Sequence, residues 1–165
     1  MAKYAEGTKV PVEKTKGEIE QLVTKYGARG YINGWADNRA MIGFEMNSLR
    51  VQFTLPLPSI TDRAVSHTVG GAKRPLGQAQ VVLAQHHRER WRAFLLVIKA
   101  KLEAVESGIR TFEQEFLNDI VTGNGMTIGA MIQPKLLEVA ETGELPRLDV
   151  VAVRNLPPLL PGPRD

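Results

Sequence analysis

The residue types best suited to chemistry are few in this chain and poorly spaced for it. The histidines are His67, His86 and His87, and adjacent helical residues project about 100° apart, so His86 and His87 do not aim at one metal. There is no cysteine and no His-Glu-x-x-His run, which leaves a zinc centre, a thiolate nucleophile and a disulfide without candidates. The glycines of Gly123-Asn124-Gly125-Met126-Thr127-Ile128-Gly129 lack the spacing of a dinucleotide-binding turn, and Val69 to Arg74 lacks the glycine-to-lysine register of a phosphate loop. Glu113/Glu115 and Glu103/Glu106 are carboxylate pairs, but they read as a solvated helix face. No catalytic residue, metal or cofactor is expected, and the chain is read as a non-enzyme.

Two constellations remain. In residues 30–58, GYINGWADNRAMIGFEMNSLRVQFTLPLP, alternation puts most apolar residues on one sheet face. It leaves Arg29, Tyr31, Asn33 and Trp35 to lie near Arg50, Gln52 and Thr54 on the other. Rings flanked by cations on a sheet suit single-stranded nucleic acid, since bases stack on the rings while guanidinium groups meet phosphate. The competing reading is that a long helix covers this face and makes both rings core, and the face that Trp91 and Leu95 touch decides between them. The second constellation is His86-His87-Arg88-Glu89-Arg90-Trp91-Arg92, followed by Lys99 and Lys101. Arg88 and Arg92 share a helix face at i, i+4, which can grip a phosphate backbone without reading sequence or can simply be a solvated face.

The elements that must position these residues are legible to different degrees. Thr15 and Glu18 resemble a capping box, Ile19, Leu22, Val23 and Tyr26 follow a helical period, and Gly27 supplies a left-handed stop, so a helix is expected over 16–26. Three strands are expected at 29–35, 40–46 and 49–57, joined by Ala36-Asp37-Asn38-Arg39 and by a tight turn at Asn47-Ser48, with Pro56 and Pro58 suiting an edge. Residues 59–77 read as a flexible connector carrying the basic trio Arg63, Lys73 and Arg74. Trp91, Leu95, Ile98, Leu102, Val105, Ile109, Phe112 and Phe116 then form a heptad seam, in one helix or in two with a joint near Gly108 to Thr111. A further helix is expected over 127–142, tolerating or kinked by Pro134, and the tail 155–165 is Pro-rich.

With 165 residues, 43% hydrophobic and 24% charged, the chain reads as one globular domain over 1–165, with an N-terminal arm over 1–14. The longest apolar run, Ala93 to Ile98, is too short to span a bilayer, and no signal peptide is evident, so a cytoplasmic location is expected. Net charge is +3 but uneven: residues 1–102 carry 16 Lys/Arg against 8 Asp/Glu, and residues 103–165 carry 5 against 10. Such asymmetry suits an anionic partner or a contact between copies.

Several stretches resemble a family of small proteins from tailed bacteriophages and prophages. They are MAKYAEGTKVPVEK at the start, GEIEQLVTKYGA in the first helix, RWRAFLLVIKAKLEAVESGIRTFEQEFL in the long helix, and the closing LPPLLPGP. The similarity covers most of the chain except 59–80. The resemblance implies a viral origin and transfers no functional residue, while favouring a role in DNA metabolism or host interference inside the host cytoplasm.

The expected architecture is α+β: an N-terminal helix, a three-stranded antiparallel meander, a long helix and a shorter C-terminal helix. Double-stranded RNA-binding domains share that order, but their lysine-bearing loop and helix start are missing here. Free sheet edges and a seam longer than one small sheet needs point to a homo-oligomer, most simply a symmetric dimer. The functional expectation is a phage nucleic-acid-binding protein, with single-stranded DNA as the partner, no membrane, and Arg29, Tyr31, Asn33, Trp35, Arg50, Gln52, Lys73, Arg74, Arg88 and Arg92 as its contacts. The alternative is an interaction protein that inhibits or sequesters a host factor.

Overall fold

A computed structural model describes residues 4–144. The fold is α+β. Helix α1 (Val12–Lys25) leads into a meander of β1 (Arg29–Ala36), β2 (Arg39–Met46) and β3 (Leu49–Pro56), paired antiparallel in the order β1-β2-β3. After these come α2 (Arg63–Ser66), α3 (Leu76–Glu106), α4 (Phe112–Phe116), α5 (Ile128–Ile132) and α6 (Leu136–Thr142). The expected tail at 155–165 lies outside the described residues.

Helix α1 starts earlier than the capping-box pattern predicts. Pro11 is its N-cap residue, which places Thr15 inside the helix, fully buried, with its hydroxyl donating to the Pro11 carbonyl at 3.4 Å. A buried hydroxyl that can back-bond within its own helix loses its value as a start signal. The stop is as expected: Gly27 is left-handed at φ 93°, its N–H reaches Thr24 and the Ala28 N–H reaches Val23, the paired bonds of a Schellman ending.

Both hairpins close over two residues. Asn47 and Ser48 each take positive φ, as the twist-compatible primed turn requires, and Asp37 does so in the first hairpin. Phe44, Ile42 and Ala40 of β2 stand opposite Val51, Phe53 and Leu55 of β3, making one apolar sheet face. Helix α3 lies on that face, with Phe94 edge-on to Phe53 at 5.5 Å and Trp91 against Phe94 at 6.1 Å. Helix α1 closes the same layer with Ile19 and Val23, and Lys16 Nζ sits 5.3 Å from the centre of the Trp91 ring.

The heptad seam divides at the joint. Helix α3 runs 31 residues, roughly 46 Å at about 1.5 Å per residue, and stops before left-handed Gly108. Ile109 therefore falls in the turn and is 75% exposed, while Phe112 and Phe116 rejoin the core on α4, which Thr111 and Gln114 cap reciprocally. The C-terminal helix also divides, with Pro134 in the middle of a 3-10 turn over Gln133–Lys135 between α5 and α6.

The connector is a folded piece. Val65 of α2 is completely buried, the His87 ring nitrogen Nε2 lies 3.0 Å from the Pro58 carbonyl, and His67 pairs with Lys73 as an isolated bridge. Composition misleads here because one buried valine and one arginine are enough to anchor a Gly-rich segment. No helix among the described residues is long and apolar enough to cross a membrane.

Candidate nucleic-acid interface

The aromatic and basic sheet face expected from sequence is not assembled. Tyr31 stands opposite Phe44, Asn33 opposite Ile42 and Trp35 opposite Ala40, so these three share the helix-covered side. Arg50, Gln52 and Thr54 are on the other side, where their β2 neighbours are Glu45, Gly43 and Met41. The cause is a bulge between Arg29 and Tyr31 at Gly30, whose φ of 64° only glycine adopts freely. One extra residue leaves Arg29 on the outer face, opposite Glu45, and turns the rest of β1 over.

The two rings also meet different fates. Tyr31 packs against the core, and its hydroxyl is buried with no hydrogen-bond partner. Burial, with a smaller contribution from the Glu20 carboxylate, pushes that hydroxyl up to about 12. Trp35, four residues along the same face, is 78% exposed. It borders an open hollow of about 940 Å³ with Asp37, Arg39, Thr54, Pro56 and Leu57. A single exposed ring beside one guanidinium is not a stacking platform for a run of bases.

Several predicted cations are engaged within the fold. Arg92 Nη1 bonds Glu18 Oε2 and ties α3 to α1. Arg50 Nε lies 3.2 Å from Glu45 Oε1, in a row that puts Glu45 between Arg29 and Arg50. Arg74 Nη1 donates to the carbonyls of Ala64, Val65 and His67, so it closes the connector instead of facing a ligand. Arg88 donates to Gln85 Oε1, and Gln85 in turn donates to the Thr8 carbonyl and to Glu89. Burial raises the Glu89 carboxyl, but hydrogen bonds from Gln85 and the Gly7 N–H outweigh it and hold Glu89 below its usual range. The N-terminal arm is thereby fastened along α3.

A different set of cations stays free. Arg63, Lys73 and Arg90 are exposed, and their side chains take no hydrogen bond or ion pair among the described residues. All three belong to the connector and the first half of α3, which pack together. Residues 59–92 carry six Lys/Arg against two Asp/Glu, while residues 103–144 carry two against eight. At the acidic end the expected solvated carboxylates are partly enclosed: Lys101 Nζ reaches Glu115 at 3.3 Å and Asp119 at 3.5 Å, and Arg110 joins Glu115 at 3.6 Å. Burial raises the Asp119 carboxyl, with Lys101 opposing the shift. Lys101 sits next to seam residue Leu102, the one sequence signal that could have placed it inward.

Gln52 and Thr54 line a smaller groove of about 560 Å³ with Arg39, Asn118, Asp119 and Gln133. Arg39 borders both hollows and was hidden in sequence by its place beside a turn. Among the described residues no three His, Asp or Glu side chains gather to hold a metal. Compared with known protein families, curated proteins and solved structures, the chain matches none.

Proposed function

We propose that the chain is a non-enzymatic nucleic-acid-binding protein that holds phosphate at the basic end formed by the connector and the first half of α3. The observation that carries this reading is that three cations, Arg63, Lys73 and Arg90, stay unpaired on a segment with a net charge of +4. Arg88 flanks them, and Lys73 is the member shared with the contacts expected from sequence. Cations that are not spent on ion pairs release counterions when they meet phosphate, which gives affinity without sequence preference. The role of the rings is withdrawn, and with it the preference for single strands. The resemblance to phage proteins supports a site of action in the host cytoplasm and a task in DNA metabolism.

Fluorescence anisotropy on labelled single- and double-stranded oligonucleotides over a salt series tests the proposal. Binding should weaken steeply with salt, and the triple change Arg63→Ala, Lys73→Ala, Arg90→Ala should flatten the log–log slope by about one for each cation that meets a phosphate. Salt-independent binding, or a slope unchanged in the triple variant, refutes it. The alternative, an interaction protein that sequesters a host factor, is favoured by the exposed Trp35 beside Arg39 and Leu57, since Trp and Arg dominate protein contact energies. Capture of one host protein, lost with Trp35→Ala and unaffected by nuclease, would favour that alternative.

A further inference from the structure

We propose that the outward face of α3 docks a second copy of this chain, helix against helix and antiparallel, about a two-fold axis between Leu96 and Val97. Trp91, Phe94, Ile98 and Leu102 of α3 are buried and mark the side of the helix that meets the core. On the opposite side Ala93, Leu96, Val97, Ala100 and Ala104 recur at steps of three and four, an apolar stripe turned away from that core. Leu96 is 40% exposed and Val97 47%. The three alanines leave room for a second helix to approach closely, with the two bulky residues between them.

Charge selects the occupant and the register. Arg90 and Glu103 flank the stripe on opposite sides, one near each end, and both are exposed. Neither has an ion pair among the described residues, and Glu103 accepts a hydrogen bond from the Tyr26 hydroxyl at 3.2 Å. An antiparallel two-fold between Leu96 and Val97 brings Arg90 to Glu103 of the second copy, on the same flank and at the same height, and repeats the pair at the other end. The same register sets Leu96 against Val97 of the second copy and Ala93 against Ala100, so bulky residues meet at the axis with small ones on either side. Glu89, which holds the Gly7 N–H of the N-terminal arm, faces Ala104 of the second copy. A slip of seven residues sets Val97 against a carboxylate, Glu103 in one direction and Glu89 in the other. A parallel pairing keeps Arg90 and Glu103 about 20 Å apart along the axis, at about 1.5 Å per residue. Arg92 and Lys101, like charges that the chosen register also sets opposite, lie about a quarter turn from the stripe and are neutralised within each chain, by Glu18 and by Glu115 with Asp119. The Arg90 guanidinium has donors enough to meet a carboxylate on one edge and phosphate on another, so this contact stands beside the proposed function without resting on it. The expected oligomer thereby acquires a place on the side of α3 that faces away from the heptad seam.

Sedimentation velocity and native mass spectrometry on the full chain, free of nucleic acid, test this. The unmodified chain should be a dimer. Arg90→Glu and Glu103→Arg should each weaken it by about tenfold or more, since each leaves like charges facing across the contact. Equal mixing of those two single variants should restore the dimer, now as a heterodimer, because both facing pairs are again opposite in sign. Ala100→Glu puts a bulky charge on the exposed stripe and keeps a good helix former, so it should abolish the dimer with circular dichroism unchanged. A chain that is monomeric up to its solubility limit, a dimer indifferent to these changes, or a mixture that fails to pair overturns the proposal.

Discussion

At the β3 edge the Val121 N–H donates to the Arg50 carbonyl at 2.8 Å and Ile120 bridges Val51, whereas at the β1 edge no described residue meets the outward groups of Tyr31, Asn33 and Trp35. Aromatic residues stand near both edges, but they are used differently. On the β3 side Phe53 and Phe116 meet at 6.1 Å, Phe44 and Phe116 at 6.2 Å, and Phe112 stacks on Phe116 at 4.6 Å. On the β1 side one ring keeps a buried hydroxyl without a partner and the other stands in solvent. The contrast separates two fates within a small meander: one edge is sealed by the chain's own later elements and carries stability, and the other meets none of the described residues.

The sealed edge can be broken at its centre. Phe116 is completely buried at the junction of α4 with the sheet, so Phe116→Ala removes contacts with three rings and leaves a cavity. A loss of about 3–5 kcal/mol is expected from urea unfolding, a large part of the roughly 5–15 kcal/mol that holds a typical domain together. A loss below about 1 kcal/mol would mean that the β3 side is no better packed than the β1 side.

A smaller effect should come from the seal itself. A Cβ built on Gly129 would lie 2.8 Å from the Asn118 carbonyl oxygen, a backbone atom with little freedom to retreat. Gly129→Ala should therefore push α5 off the 3-10 turn Leu117–Asp119, at a cost of about 1–3 kcal/mol. Amide exchange at Val121 should quicken more than exchange in β2. Uniform quickening would place the damage in the whole domain and not in the cover over β3.

The difference between the edges also explains what sequence could and could not reveal. The strand limits and the Asn47-Ser48 turn were legible because alternation and turn chemistry are local signals, and the alternation from Leu49 to Leu55 survives intact in β3. The face of Tyr31 was not legible. Gly30 reads equally well as an ordinary strand glycine or as a bulge, and only pairing with β2 separates the two. Arg74 and Arg92 failed as surface cations for a related reason: their partners are a set of carbonyls in the connector and Glu18 at a separation of 74 residues, which no local window contains. Free and engaged arginines look alike until the fold is known, so the basic helix face was legible as a segment and illegible as a list of residues.

On the open edge the expected effect is smallest and opposite in sign. The Tyr31 hydroxyl is buried without a hydrogen bond, so Tyr31→Phe removes a desolvated polar atom and keeps the ring, which should raise stability by up to about 1 kcal/mol. Alkaline titration gives a second reading. The folded chain holds the Tyr31 proton more tightly than the unfolded chain does, with the hydroxyl raised from 10.0 to about 12. That contribution to stability is complete below pH 10 and is lost as pH climbs through about 12, so the unmodified protein should lose stability across this window and Tyr31→Phe should lose less. Tyrosinate absorbance followed through the same titration should show one late-ionising ring in the unmodified chain that is missing from the variant. If the phenylalanine chain is instead the weaker of the two at neutral pH, the hydroxyl has a partner and the β1 side is as well satisfied as the β3 side.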